Sequence, residues 1–156
     1  YTAPAEDRDH YGGASKFQHF LSDELFPALE AKYRINNKRR ILFGQSIGGQ
    51  FVLYTALTKP DLFWGHLASN PALHRNLPFF LDHPVANAPS NSKLFVSIGE
   101  NDDKRFKEPS TKWVTAWRNK QNLPWEMTAV ELKGENHFSA ATSAFRQGIK
   151  WFFEKP

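Results

Sequence analysis

The sequence predicts an α/β fold, a parallel sheet with helices on both faces, and three features predict it. Short apolar runs alternate with longer stretches of three-to-four apolar spacing along the whole chain. Two of these runs end at a glycine, Gly44 and Gly99, where a strand would turn into the next element. The chain has 156 residues with 40% apolar content, enough for one domain with a real core. Parallel neighbours need crossover connections and helices supply them, which gathers the loops that carry chemistry at the C-terminal ends of the strands.

Taken in order, residues 15–33 place Phe17, Phe20, Leu21, Leu25, Phe26, Leu29 and Tyr33 on one helical face, with Pro27 as the site of a kink. Residues 40–43 form a short strand ending at Gly44, and residues 47–57 form an apolar helix stopped by Lys59-Pro60. Residues 63–68 read as a second strand, followed by a turn at Ser69-Asn70-Pro71 and a loop-rich stretch over 84–92. A third strand over 93–98 leads through the polar loop 100–104 to a helix over 110–122, where Trp113, Val114 and Trp117 share a face. Residues 125–132 alternate as a fourth strand, 133–139 form a loop, and 140–153 form a closing helix.

Composition narrows the function classes. The net charge of +4 favours anionic substrates, but the densest basic run, Asn37-Lys38-Arg39-Arg40, reads as a solvated loop and makes no nucleic-acid surface. With no cysteine there are no disulfides, no thiolate chemistry and few routes to zinc, and the composition does not choose between cytoplasm and periplasm. No apolar run approaches the roughly 18 residues of a membrane span, so the chain reads as soluble with no membrane partner. It opens on Tyr1-Thr2-Ala3-Pro4-Ala5-Glu6-Asp7 without an initiator methionine, and the expectation is that sequence continues upstream. No cofactor and no metal are expected, and the oligomeric state is left open.

The chemistry concentrates in Gly44-Gln45-Ser46-Ile47-Gly48, placed where a strand turns into a helix. Such a turn strains the serine backbone and exposes its Oγ above the sheet, and small residues at 44 and 48 let strand and helix approach. The helix that follows points its free N–H groups at that hydroxyl, so the Ile47 N–H is a candidate oxyanion donor. A serine hydroxyl needs a base. Of six histidines, His137 alone lies between the last strand and the last helix, and it is the candidate. The third member is a carboxylate after an intermediate strand. Asp102, three residues past Gly99, ranks ahead of Asp103 and Glu100. Each residue alone has a plainer reading, as a chance motif, a turn aspartate or a loop histidine; their order on successive loops sets them apart.

The segments Gly44-Gln45-Ser46-Ile47-Gly48-Gly49-Gln50-Phe51, Ser69-Asn70-Pro71-Ala72-Leu73, Ser97-Ile98-Gly99-Glu100-Asn101-Asp102 and Gly134-Glu135-Asn136-His137-Phe138 together resemble the "putative esterase" family of α/β-hydrolases. That family includes esterase D, feruloyl esterases, mycolyltransferases and the siderophore esterases, and the resemblance is strongest to the last group. It implies the α/β-hydrolase fold without its N-terminal strands, carried by residues 1–156 as the C-terminal part of one domain. It implies a serine ester hydrolase acting on a small-molecule ester, with Ser46 as nucleophile, His137 as base and Asp102 as acid if an acid is used, since some siderophore esterases resemble Ser–His dyads. Where the family carries Ser-Pro-Ser-Leu-Trp-Trp this chain has Asn70-Pro71-Ala72-Leu73-His74-Arg75, which implies a more polar pocket. The family's second oxyanion donor comes from a loop upstream of these residues, so the fragment alone is expected to be a poor catalyst. An acyltransferase of the same family and a non-catalytic scaffold are the alternative readings.

Overall fold

The computed structural model describes residues 1–5, 9–86, 89 and 91–154. Glu6 and Asp7 of the polar opening, and Asn87, Ala88 and Ser90 of the loop after residue 84, lie outside the described residues. Four parallel strands form one sheet in the order β1-β2-β3-β4: β1 (Ile41–Gln45), β2 (Gly65–Ser69), β3 (Lys93–Gly99) and β4 (Glu126–Leu132). The register aligns Gln45 with Ser69 and Ser69 with Ser97, while β3 and β4 run on together to Gly99 and Leu132. One end of the sheet therefore carries every loop that the sequence marked for chemistry.

Side chains alternate across the strands and divide the core in two. Leu42, Ala68, Leu94, Val96, Ile98 and Ala129 point to one face, against α3 (Ile47–Thr58) and α5 (Lys104–Arg118). Ile41, Leu67, Phe95, Val130 and Leu132 point to the other, against α6 (Ala140–Phe153). Helices cover both faces, as expected, though unequally. On the α6 side Gly148 sits so close to β2 that an added Cβ would come within 2.7 Å of Leu67 Cγ.

The elements differ from expectation in places, each for a local reason. The first helical segment widens before Pro27: α1 (Ala14–His19) passes into a π-helical stretch (Phe20–Leu25) and then α2 (Phe26–Glu30), with Phe26 N–H bonded to the Leu21 carbonyl five residues back. A proline ring collides with the carbonyl four residues before it, and the wider turn gives that carbonyl room. Helix α5 begins at Lys104 rather than residue 110, because the Asp103 carboxylate accepts from Arg105 N at 2.8 Å and caps a turn that Pro109 would otherwise discourage; it ends at Arg118, short of residue 122. Strands β1 and β2 each run one or two residues later than expected, reaching Gln45 and Ser69.

One helix was not expected. Helix α4 (Leu77–Asp82) is too short to show a period, and tertiary contacts fix it: the Phe80 carbonyl accepts from both Trp113 Nε1 at 3.0 Å and Trp117 Nε1 at 3.2 Å. No helix among the described residues is long and apolar enough to cross a membrane.

His66 lies in the middle of β2 with neither ring nitrogen hydrogen-bonded at normal geometry. Burial lowers its pKa to about 4, offset in part by the Lys93 backbone. Between the ordinary histidine value and about 4 the unfolded chain binds a proton that the folded chain refuses. Stability is therefore full above that window and is lost as the pH falls, by about 2 kcal/mol at pH 5. Urea unfolding at pH 7, 6 and 5 should show this loss, and His66→Leu should reduce the slope by that amount.

Candidate active site

Ser46 occupies the junction of β1 and α3 with φ 57° and ψ −116°, a left-handed conformation that is strained for a side chain with a Cβ. Its N–H bonds to the Ser69 carbonyl at 3.0 Å, and its own carbonyl accepts from Gln50 N at 2.9 Å and Ala72 N at 3.0 Å. The turn is thus tied into β2 and into the loop after it. Gly44 is required by packing, since a Cβ there would lie 2.2 Å from the Gly48 carbonyl oxygen. Gly48 itself has open space where its Cβ would go. The second tight position is Gly49, whose Cβ would stand 2.8 Å from the Ser69 oxygen. The motif's final glycine is therefore not the one that packing demands.

The structure brings the three sequence-marked side chains into one line. His137 Nε2 lies 2.8 Å from Ser46 Oγ, and His137 Nδ1 lies 3.1 Å from both carboxylate oxygens of Asp102. The Asp102 side chain is only 1% exposed and that of His137 12%, so the pair is shielded from solvent. Asp102 Oδ1 also accepts from Asp103 N at 2.8 Å. The competing carboxylates are engaged elsewhere: Asp103 caps α5, and Glu100 accepts from Gly134 N at 2.8 Å. Ile47 is the first residue of α3, where no carbonyl four residues back is available to its N–H, and that donor lies beside the serine.

Sequence reasoning missed the residues that aim the histidine. Asn136 Oδ1 accepts from Phe138 N at 2.9 Å and Ser139 N at 3.1 Å, while Asn136 N donates to Ser139 Oγ at 3.0 Å, which fixes the turn around His137. Gln45 Nε2 donates to the His137 carbonyl. Asn70, at φ 42°, accepts from Gly99 N at 3.0 Å through Oδ1 and reaches the Asn136 carbonyl at 3.4 Å through Nδ2, joining the loops after β2, β3 and β4. An asparagine before a proline signalled a turn; nothing in the sequence said what its amide would bind.

His74 and Arg75, the two residues of the expected polar pocket, part company. His74 packs edge-on to Phe106, with centroids 5.1 Å apart, close enough to the site that burial, then the charges of Arg75, Arg105 and His137, lower its pKa. Arg75 instead lines a cleft of about 850 Å³ with Pro4, Asn76, Phe79 and His83, to which neither Ser46 nor His137 contributes.

The sequence profile of the family described as "Putative esterase" matches residues 3–153. The chain belongs to that family. Among its relatives the ferri-bacillibactin esterase BesA of Bacillus subtilis is 43% identical over 96 residues, covering 58% of this chain and 33% of the relative. The siderophore triacetylfusarinine C esterase of Aspergillus fumigatus is 26% identical, covering 92% of this chain and 59% of the relative. The solved BES protein from Bacillus cereus superposes with a TM-score of 0.86 at 20% identity, covering 99% of this chain and 62% of that one. The fold is of the α/β-hydrolase type. This esterase-family chain thus spans between about a third and three fifths of the length of those curated relatives.

The glycine contacts separate two substitutions in the same motif. Gly44→Ala should cost about 3 kcal/mol or more, because helix backbone has to move. Gly48→Ala should change stability by about 1 kcal/mol or less. Urea unfolding of the two variants checks both.

Proposed function

We propose that the protein is a serine carboxylic-ester hydrolase that works through an acyl-enzyme on Ser46, with residues 1–156 as the nucleophile-bearing C-terminal part of an α/β-hydrolase domain. The observation that carries this is the unbroken line from Ser46 Oγ through the His137 imidazole to the buried Asp102 carboxylate, at 2.8 and 3.1 Å. In this reading His137 Nε2 takes the hydroxyl proton as Oγ attacks the ester carbonyl. The Ile47 N–H donates to the oxygen that becomes negative, and Asp102 stabilises the imidazolium and fixes its tautomer. The proton passes from Nε2 to the departing alkoxide, which leaves as the alcohol. Water then attacks the acyl-enzyme by the same route, and its proton returns through His137 to Ser46 Oγ.

The substrate class we propose is a siderophore ester. The relatives named as siderophore esterases support it, as does the positive charge of Arg105, whose guanidinium lies 4.5 Å from the Phe106 ring that stacks on His137. A substrate rich in phenolate or carboxylate oxygens would meet that charge favourably.

The full-length protein should hydrolyse a short-chain p-nitrophenyl ester and a triscatecholate trilactone, and a fluorophosphonate should label Ser46. Failure of the label on folded protein sinks the mechanism. Asp102→Asn should lower kcat by about 10³- to 10⁴-fold, by presenting the wrong imidazole tautomer. Asp103→Ala should leave kcat within about twofold and instead cost about 1 kcal/mol of stability, the value of the lost helix cap. The reverse result would move the acid to Asp103.

A further inference from the structure

The two hydrogen bonds to His137 leave one motion of its ring free. Both lie in the plane of the imidazole, one at Nδ1 and one at Nε2, so they fix the line between Ser46 and Asp102 but not the tilt of the ring about it. A flat surface against the ring face is what fixes tilt, and the structure has one. The Phe106 ring lies 4.0 Å from the imidazole, centroid to centroid, with the two planes 21° apart. It comes from the first turn of α5, three residues after the helix cap at Asp103. The segment that supplies the Asp102 carboxylate therefore also supplies the wall.

The surroundings of Phe106 define what the wall does to charge. The Arg105 guanidinium stands 4.5 Å from the Phe106 centroid. A guanidinium and an imidazole cannot share one face of a six-membered ring at 4.5 and 4.0 Å, so the phenyl ring is interleaved between them. His74 meets its edge at 5.1 Å and 80°. On its other sides the imidazole faces Asp102 from the loop after β3, Ser46 from the elbow, and the edge of Phe138 at 5.8 Å from its own turn. The Arg105 guanidinium, on the Phe106 ring, supplies nearby positive charge. An aromatic face is electron-rich and attracts a cation laid on it. When His137 takes the serine proton, that cation forms against Phe106, while the same ring keeps the Arg105 cation a full ring thickness away.

We propose that Phe106 is a positioning residue for His137: a wall that sets the tilt of the imidazole, favours its protonated form during acyl transfer and separates it from Arg105. This deepens the hydrolase reading and rests on it, so its test needs one readout that does not require turnover. Phe106→Leu keeps an apolar side chain and removes the aromatic face; Phe106→Tyr keeps the face. In full-length protein, Phe106→Leu should lower kcat about tenfold with KM within about twofold, as misorientation of a catalytic group does. Its kcat/KM profile should move at the acid limb toward lower pH by about 0.5 to 1 unit, the value of a lost cation–π contact. The midpoint of the His137 imidazole titration, followed by NMR in resting protein, should move the same way. Phe106→Tyr should match wild type in all three.

Several results would overturn the proposal. Unchanged kcat and midpoint in Phe106→Leu would do so, as would a change confined to KM, which marks a substrate contact, or equal losses in Leu and Tyr variants, which mark packing alone. If wild type turns over no ester but the NMR midpoint moves, the hydrolase reading fails and the stacking stands. Should Phe106→Leu lose its native circular dichroism, Phe106→Met carries the same comparison.

Discussion

The site at Ser46 depends on one close approach, the contact of Gly44 with the backbone at the start of α3. Only a residue without a Cβ lets the end of β1 pass so near the helix that follows it, and this proximity forces the chain between them into the φ 57° turn at Ser46. A strained residue of this kind costs about 1 to 3 kcal/mol. Three backbone bonds from Ser46 to Ser69, Gln50 and Ala72 offset it, each contributing about 1 kcal/mol. The serine is therefore presented by the sheet itself and not by a loose loop.

From that fixed point the remaining groups are positioned by parallel register and loop-to-loop bonds. Ser46, Asp102 and His137 follow β1, β3 and β4, and β2 contributes Asn70, which bonds to Gly99 N beside the aspartate loop and reaches the Asn136 carbonyl in the histidine loop. Asn101 N bonds to the Glu135 carbonyl at 2.8 Å, joining the aspartate and histidine loops directly. Gln45, next to the serine, closes the circuit through the His137 carbonyl. A displacement of any one loop is thus felt by the other two.

The legible part of the site was the part written in local sequence. A glycine-flanked serine between a strand and a helix, and a histidine between the last strand and the last helix, need only chain order to be recognised. The acid was less legible because Glu100, Asp102 and Asp103 sit in one turn, and the local pattern does not state which carboxylate turns inward. Asp103 bonds to Arg105 N and Glu100 to Gly134 N, while Asp102 turns toward His137. Helix α4 and the roles of Asn70, Gln45 and Phe106 were illegible for a different reason: each depends on partners from 29 to 92 residues away, and periodicity carries no such information. The π-helical stretch before Pro27 shows the same limit on a smaller scale, since a proline announces a disturbance without saying how the chain absorbs it.

Strand β1 has one feature with a wider consequence. It pairs with β2 on one side, and its other side has no strand partner among the described residues. Phe43 on that strand is partly exposed and meets Phe145 of α6 edge-on at 5.4 Å. An unpaired row of backbone donors and acceptors beside apolar rings is a template for any extended peptide. Occupation of that edge and the geometry of the elbow are therefore mechanically joined, because the last residues of this same strand lead directly into the turn at Ser46. Whatever lies along β1 stiffens or loosens the elbow. Left bare at high concentration, the edge would favour self-association, so colloidal behaviour and the geometry of the Ser46 turn share a structural origin.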